Sequence, residues 1–230
     1  MNLNKIFSNI SLCKRDIIEF NPDKIIYIDY PGFNLRICDW AKKKGFKNYY
    51  YISPQIWAWK EGRIKNIKRS IDKLFVIFPF EKNYYSEKHK METLYFGHPL
   101  IEVINSYKSN TSFFKENNIP SDKPVVAFLP GSRIQEIKTM LPIFLSIISN
   151  YPNYNFIIAG VNNVNPKLYD LGSHPNLFIV YNKTYDLLTN SFAAIVTSGT
   201  ASLECSLFKV PQIVCYKTSF LSFFVGKLFV

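Results

Sequence analysis

The sequence predicts an α/β protein built on parallel sheets, in two halves, and three observations carry that expectation. Short apolar runs alternate with longer amphipathic segments along all 230 residues, which is the pattern of βαβ units. Two of the runs end in a glycine turn that opens a helix, Leu129-Pro130-Gly131-Ser132-Arg133 and Ser198-Gly199-Thr200-Ala201-Ser202-Leu203-Glu204. Between the halves, from Ser106 to Thr111, the chain turns small and polar. This places a boundary between residues 1–105 and 106–230.

The elements follow in order. Residues 12–20 read as a helix that stops before Asn21-Pro22, and 25–28 as a strand. Asp29 to Asn34 reads as a loop and 35–44 as a helix closed by Gly45, a residue suited to a helix C-terminus. Residues 49–52 form a strand. The stretch 57–70 reads as a helix with Ile64, Ile67 and Ile71 on one face. A strand at 74–78, a helix opened by Pro79 and a strand at 93–96 complete the first half. The second half has strands at 125–129, 155–159, 178–180, 193–196 and 212–215, with helices at 134–150, 165–171, 184–190 and 200–208. Residues 220–230 are a final apolar, amphipathic stretch, read either as a core helix or as an interfacial patch.

Composition narrows the function. Apolar residues make up 47% and charged residues 20%, which is globular rather than disordered. The net charge is +11, carried mostly by residues 1–110, where 19 Lys and Arg face 11 Asp and Glu. Such a field draws phosphates, nucleic acid or an anionic membrane, although a Lys-rich surface has bland explanations too. Cys13, Cys38, Cys205 and Cys215 are scattered without a C-x-x-C and read as free thiols in a reducing compartment. The N-terminus lacks the apolar core of a signal peptide. No apolar run reaches the roughly 20 residues that cross a bilayer.

The two glycine turns carry the chemistry. Backbone N–H groups at a helix start point outward with partial positive charge and hold anions, phosphate above all. Gly131, Ser132, Arg133 and the amides of Ser198, Gly199, Thr200 and Ala201 are the candidates, with Arg133 able to bind phosphate bidentately. Glu204, one turn into its helix, can accept two sugar hydroxyls. Phosphate and diol together suggest a nucleotide. No Asp-x-Asp and no cluster with metal-ligand spacing occurs, so neither metal nor cofactor is expected. Helix amides and Arg133 would then carry the charge of a departing diphosphate. Asp29 ends a strand, where ligands bind in open sheets. It reads either as a base or as a cap for the next helix. Trp57 and Trp59 read as ligand-stacking or core residues. Lys60, Arg63, Lys65, Lys68 and Arg69 read as a solvated face or a phosphate and headgroup contact. His98 reads as structural or as part of a cleft.

Ile28-Asp29-Tyr30-Pro31-Gly32-Phe33-Asn34, Ser53-Pro54-Gln55-Ile56-Trp57-Ala58-Trp59, Phe78-Pro79-Phe80-Glu81, Gly97-His98-Pro99, Leu129 to Arg133 and Ser198 to Glu204 occur in an order and spacing that resembles the lipid-A-disaccharide synthase family. The resemblance covers most of the chain. It implies a GT-B-like fold of two Rossmann-like domains facing a cleft, the first on the acceptor side and the second binding a UDP-sugar. It implies transfer of a diacylglucosamine unit from UDP to a lipid-linked diacylglucosamine 1-phosphate, with Asp29 as base. Asn34, Ser53, Trp57, Trp59 and His98 would line the cleft or the acceptor site, with Asn34 capping or orienting the Asp29 loop. The expected setting is the cytoplasmic, anionic surface of a Gram-negative inner membrane, with no nucleic acid partner and a homodimer left open. The family's N-terminal glycine-rich loop and its segment past residue 230 have no counterpart here, so the sequence reads as an internal fragment with both domains incomplete. The rivals are another GT-B enzyme acting on a UDP-sugar (a peptidoglycan-precursor glycosyltransferase or a UDP-sugar epimerase), an inactive fragment, and a basic nucleic-acid-binding module.

Overall fold

The computed structural model describes residues 3–169, 172 and 174–217. The apolar stretch at 220–230 lies outside the described residues. The chain divides into two compact units, Met1–Ile101 and Glu102–Val230.

Unit 1 opens with helix α1 (Leu3–Phe20), longer than the sequence suggests because its apolar stripe begins earlier, with Ile6 and Ile10 packed on the core. Four parallel strands follow, β1 (Lys24–Ile28), β2 (Lys47–Tyr51), β3 (Lys73–Val76) and β4 (Leu94–Tyr95), in the spatial order of the sequence. Between them run α2 (Pro31–Lys43), α3 (Ile64–Ser70) and α4 (Pro79–Asn83). Right-handed crossovers in an unreversed strand order put every connecting helix on one face. Tyr27, Tyr50, Leu74 and Val76 are accordingly buried against Leu35, Ile37, Cys38 and Ile67. Ile26 and Ile28 point the other way and are exposed. Asn48 ties the layer together. It is fully buried, donates to the Cys38 and Ser70 carbonyls at 2.8 Å each, and accepts from the Tyr27 hydroxyl at 3.1 Å.

Three local expectations are corrected here. Helix α2 starts at Pro31, not 35, because proline's fixed φ suits the first helical turn. The helix expected from 57 begins only at Ile64. Ahead of it, Gln55 to Trp59 form a turn, with Ala58 N–H on the Gln55 carbonyl at 3.1 Å, and Lys60 sits at φ 56°, outside helical geometry. The strand expected over 93–96 shrinks to β4, its two residues pairing with Phe75 and Val76.

Unit 2 carries α5 (Pro99–Asn105, begun in unit 1) and α6 (Phe113–Glu116), neither of which the sequence reading anticipates. Its strands are β5 (Val125–Leu129), β6 (Asn155–Gly160), β7 (Leu177–Tyr181), β8 (Ala193–Thr197) and β9 (Gln212–Cys215). Helices α7 (Ile134–Leu145), α8 (Thr184–Thr189) and α9 (Thr200–Leu207) connect them. Short 3₁₀ turns at Ile148–Asn150 and Pro166–Tyr169 stand where the sequence suggests helix out to 150 and 171. All pairings are parallel and the spatial order is β7-β6-β5-β8-β9. The sheet is covered on both faces. Ala127, Leu129, Ile157 and Val196 meet Leu187, Leu188 and Cys205 on one side. Phe128, Phe156 and Ile158 meet Ile137, Met140, Leu141 and Phe144 on the other. Strands buried on both faces read as unbroken apolar runs, which is why β5 and β6 were legible. Cys38 and Cys205 are buried, and all four cysteines are free thiols.

Candidate functional site

In unit 2 the strand order reverses between β5 and β8. Successive connections leave such a point on opposite faces, and the loops at the strands' carboxyl ends part to form a crevice. A crevice of about 360 Å³ lies there. Its lining includes Gly131, Ser132 and Arg133 from the loop after β5, and Ser198, Gly199, Thr200, Ala201 and Glu204 from the loop and helix after β8. The structure thus brings together all eight residues expected around a nucleotide, from two segments about 70 positions apart in sequence.

The first loop is held by a residue the sequence reading passes over. Glu136, in the first turn of α7, folds back and accepts the N–H groups of Ser132 at 3.2 Å and Arg133 at 3.3 Å, while its other oxygen pairs with the Arg133 guanidinium at 2.8 Å. This is the glutamate half of a capping box, the carboxylate three residues on reaching back to the N-cap N–H, whereas the Arg133 side chain, a donor only, cannot return the bond. Gly131 is required. Its φ is +104°, and a Cβ there would lie 2.5 Å from Glu136 Oε2. The Arg133 side chain remains 82% exposed.

At the second loop one expectation is corrected. The Ser198 N–H donates to the Cys215 carbonyl at 3.0 Å and extends the β8–β9 ladder, so it is not free for an anion. Gly199, at the cap of α9, is followed by the first-turn residues Thr200 and Ala201, whose N–H groups have no i−4 carbonyl within the helix. Glu204 is half-buried, and the Tyr185 hydroxyl donates to its Oε1 at 3.0 Å. Burial pushes the Glu204 carboxyl above its usual range, and the Tyr185 hydrogen bond pulls it part of the way back. Nothing in the sequence singled out Tyr185, because its partner is 19 positions away.

The remaining candidates lie in unit 1. Asp29 follows β1 directly and is exposed. Asp29 and Tyr30 both sit at φ 46°, a conformation costly for residues with a Cβ. The Asn34 side-chain amide holds them by donating to the Ile28 and Asp29 carbonyls at 3.1 and 2.7 Å, and the Tyr50 hydroxyl donates to the Asp29 carbonyl at 2.6 Å. Asn34 is thus the loop's orienting residue. The capping alternative for Asp29 falls away, since the N-cap of α2 is Tyr30 and no side chain caps it. Ser53 is buried, its hydroxyl 2.9 Å from that of Tyr85, and it has no open surface to offer a ligand. Trp57 is part-exposed, with its indole N–H on Glu81 Oε1 at 3.2 Å and its ring edge-on to Phe80 at 5.0 Å. Fully buried Glu81 also accepts the Ile77 and Phe78 N–H groups, so the Trp-containing and Phe-Pro-Phe-Glu segments are one built structure. Trp59 is exposed, with the Lys60 ammonium 4.2 Å and the Arg63 guanidinium 5.5 Å from its ring centre. Arg69 is paired with Asp39 at 2.6 Å, whereas Lys65 and Lys68 are exposed. His98 accepts the Leu100 N–H on Nδ1 at 3.2 Å and lies beside Phe78, the rings tilted by 42° at 5.4 Å. Burial lowers its pKa, with the Glu81 charge opposing.

Comparison with known proteins adds a family to this geometry. The chain is 41% identical to lipid-A-disaccharide synthase 1 of Legionella pneumophila (strain Paris) over 98% of its own length and 60% of the relative's. It is 39% identical to lipid-A-disaccharide synthase of Coxiella burnetii (strain Dugway 5J108-111) over 93% of its length and 58% of the relative's. It therefore spans about three fifths of the curated relatives it matches. Among solved structures, Staphylococcus aureus MnaA in complex with UDP superposes with a TM-score of 0.68 at 14% identity, over 92% of this chain and 62% of that one, a likeness of fold. The model of the lipid-A-disaccharide synthetase family matches residues 1–230, and the chain belongs to that family.

Proposed function

We propose that the chain is the nucleotide-holding and acid–base part of an inverting glycosyltransferase that makes the lipid A disaccharide. In this reading a UDP-linked 2,3-diacylglucosamine is the donor and 2,3-diacylglucosamine 1-phosphate the acceptor. The single observation that carries it is the crevice at the β5/β8 reversal, where the start of α9, the Arg133 guanidinium and the Glu204 carboxylate meet, while Glu136 takes the Ser132 and Arg133 amides at the start of α7. The first-turn amides after Gly199 and the Arg133 guanidinium match a diphosphate, and Glu204 matches the vicinal diol of a ribose. The UDP held by the MnaA structure, which shares the fold, agrees with that assignment.

Asp29 acts as the base in this proposal. Its carboxylate is exposed at the carboxyl end of a strand, on a loop fixed by Asn34 and Tyr50. It removes the proton from the acceptor hydroxyl as that oxygen attacks the anomeric carbon and UDP leaves from the opposite side, giving a β-linked product from an α-linked donor. The acyl chains place the reaction at the cytoplasmic surface of the inner membrane, where the basic face around Trp59 and Lys60 meets anionic headgroups. Among the described residues no helix is long and apolar enough to cross a membrane.

The test is UDP release from the diacylated donor in the presence of acceptor, with UDP affinity measured in parallel. Asp29→Asn should lower transfer by about a hundred- to ten-thousandfold, the usual yield of a positioned base, with UDP affinity unchanged. Unchanged turnover removes Asp29 from the mechanism. Equal use of plain UDP-N-acetylglucosamine removes the acylated substrate.

A further inference from the structure

A half-buried carboxylate that must receive two hydroxyls from a ligand needs its orientation set beforehand, because an unfixed Glu loses rotamer entropy on binding. Among the described residues no Lys, Arg or His forms a salt bridge with Glu204. The donor it does have is the Tyr185 hydroxyl, at 3.0 Å. That hydroxyl is itself anchored. Leu187 and Leu188 are buried in the core and fix α8. The Tyr185 ring packs in a three-ring cluster with Tyr107, perpendicular at 5.2 Å, and Phe208 at 5.0 Å, which also meet each other at 6.0 Å. Tyr107 is fixed in turn by donating to Asp186 Oδ1 at 2.6 Å, and the same oxygen accepts the Asn110 N–H at 3.1 Å.

We infer that Tyr185 is a positioning residue for the nucleotide. By occupying one lone pair of Glu204 Oε1, it directs the remaining acceptor positions of the carboxylate at the crevice. It thereby sets the preference for a sugar that carries both ribose hydroxyls. The inference rests on the proposed ribose role of Glu204 and extends it to a residue that does not line the crevice.

Calorimetric titration of the 230-residue chain with UDP and with 2′,3′-dideoxy-UDP tests this, using wild type, Tyr185→Phe and Glu204→Gln. Tyr185→Phe keeps the ring and its packing and deletes only the donor, and a thermal melt checks that the variant is folded. Wild type should prefer UDP by about tenfold or more, in line with hydrogen bonds to a charged group. Tyr185→Phe should weaken UDP by about five- to tenfold and leave the dideoxy compound within about twofold, so that the preference collapses. Equal losses for the two nucleotides, or no loss for either, would reduce Tyr185 to a packing residue and overturn the inference. If Glu204→Gln leaves the preference intact, the ribose assignment of Glu204 fails first and takes this inference with it.

Discussion

Replacing Gly131 with alanine should destabilise unit 2 through two separable effects. The first is conformational. At φ +104° a residue with a Cβ is strained by about 1 kcal/mol. The second is collision with Glu136. The new Cβ would stand 2.5 Å from Oε2 and 2.8 Å from the Glu136 Cβ. The carboxylate can swing aside, but only by giving up the Ser132 and Arg133 N–H groups and the guanidinium pair. These bonds are partly exposed, so together they are worth about 1–2 kcal/mol. The expected total is about 2–3 kcal/mol. The assay is urea unfolding followed by far-ultraviolet circular dichroism, because Trp40, Trp57 and Trp59 all lie in unit 1. A double-mutant cycle isolates the collision. In a Glu136→Gly background, which removes the Glu136 Cβ as well as its carboxylate, the substitution at 131 should lose only the conformational part, about 1 kcal/mol. An equal cost in both backgrounds, or under about 0.5 kcal/mol in the wild type, would refute the account of Glu136 as the strut of this loop.

Two further outcomes follow from named groups. Burial holds the Glu204 carboxyl above its usual range, and it accepts ribose hydroxyls best when ionised. Uridine, which has no phosphate to titrate, should therefore bind more weakly as the pH falls through that raised value, with the loss setting in at a higher pH than an ordinary glutamate would give. Glu204→Gln should flatten the profile, and a pH-independent wild type would contradict the assignment. Asn48→Ala should destabilise unit 1 by about 3 kcal/mol, since it strands the buried Cys38 and Ser70 carbonyls and the Tyr27 hydroxyl. Indole fluorescence during urea unfolding reads it, and a loss under about 1 kcal/mol would mean that water replaces the amide.

How much was legible in advance depended on the range of the interactions. Doubly buried strands such as β5 and β6 announce themselves as apolar runs, and Gly131 and Gly199 mark where strands turn into helices, so both parallel sheets and the eight crevice residues could be read from the chain. The late start of the helix after Trp57 could not, because a tethered indole and a left-handed Lys60 outweigh local periodicity. Tertiary structure alone assigned Glu81 to Trp57 and Tyr185 to Glu204. It also spent the Ser198 amide on a strand ladder and brought two distant loops to one crevice. The physical reason is that hydrophobic pattern and turn chemistry act over a few residues, whereas hydrogen-bond partners and strand order are settled by which segments the fold lays side by side.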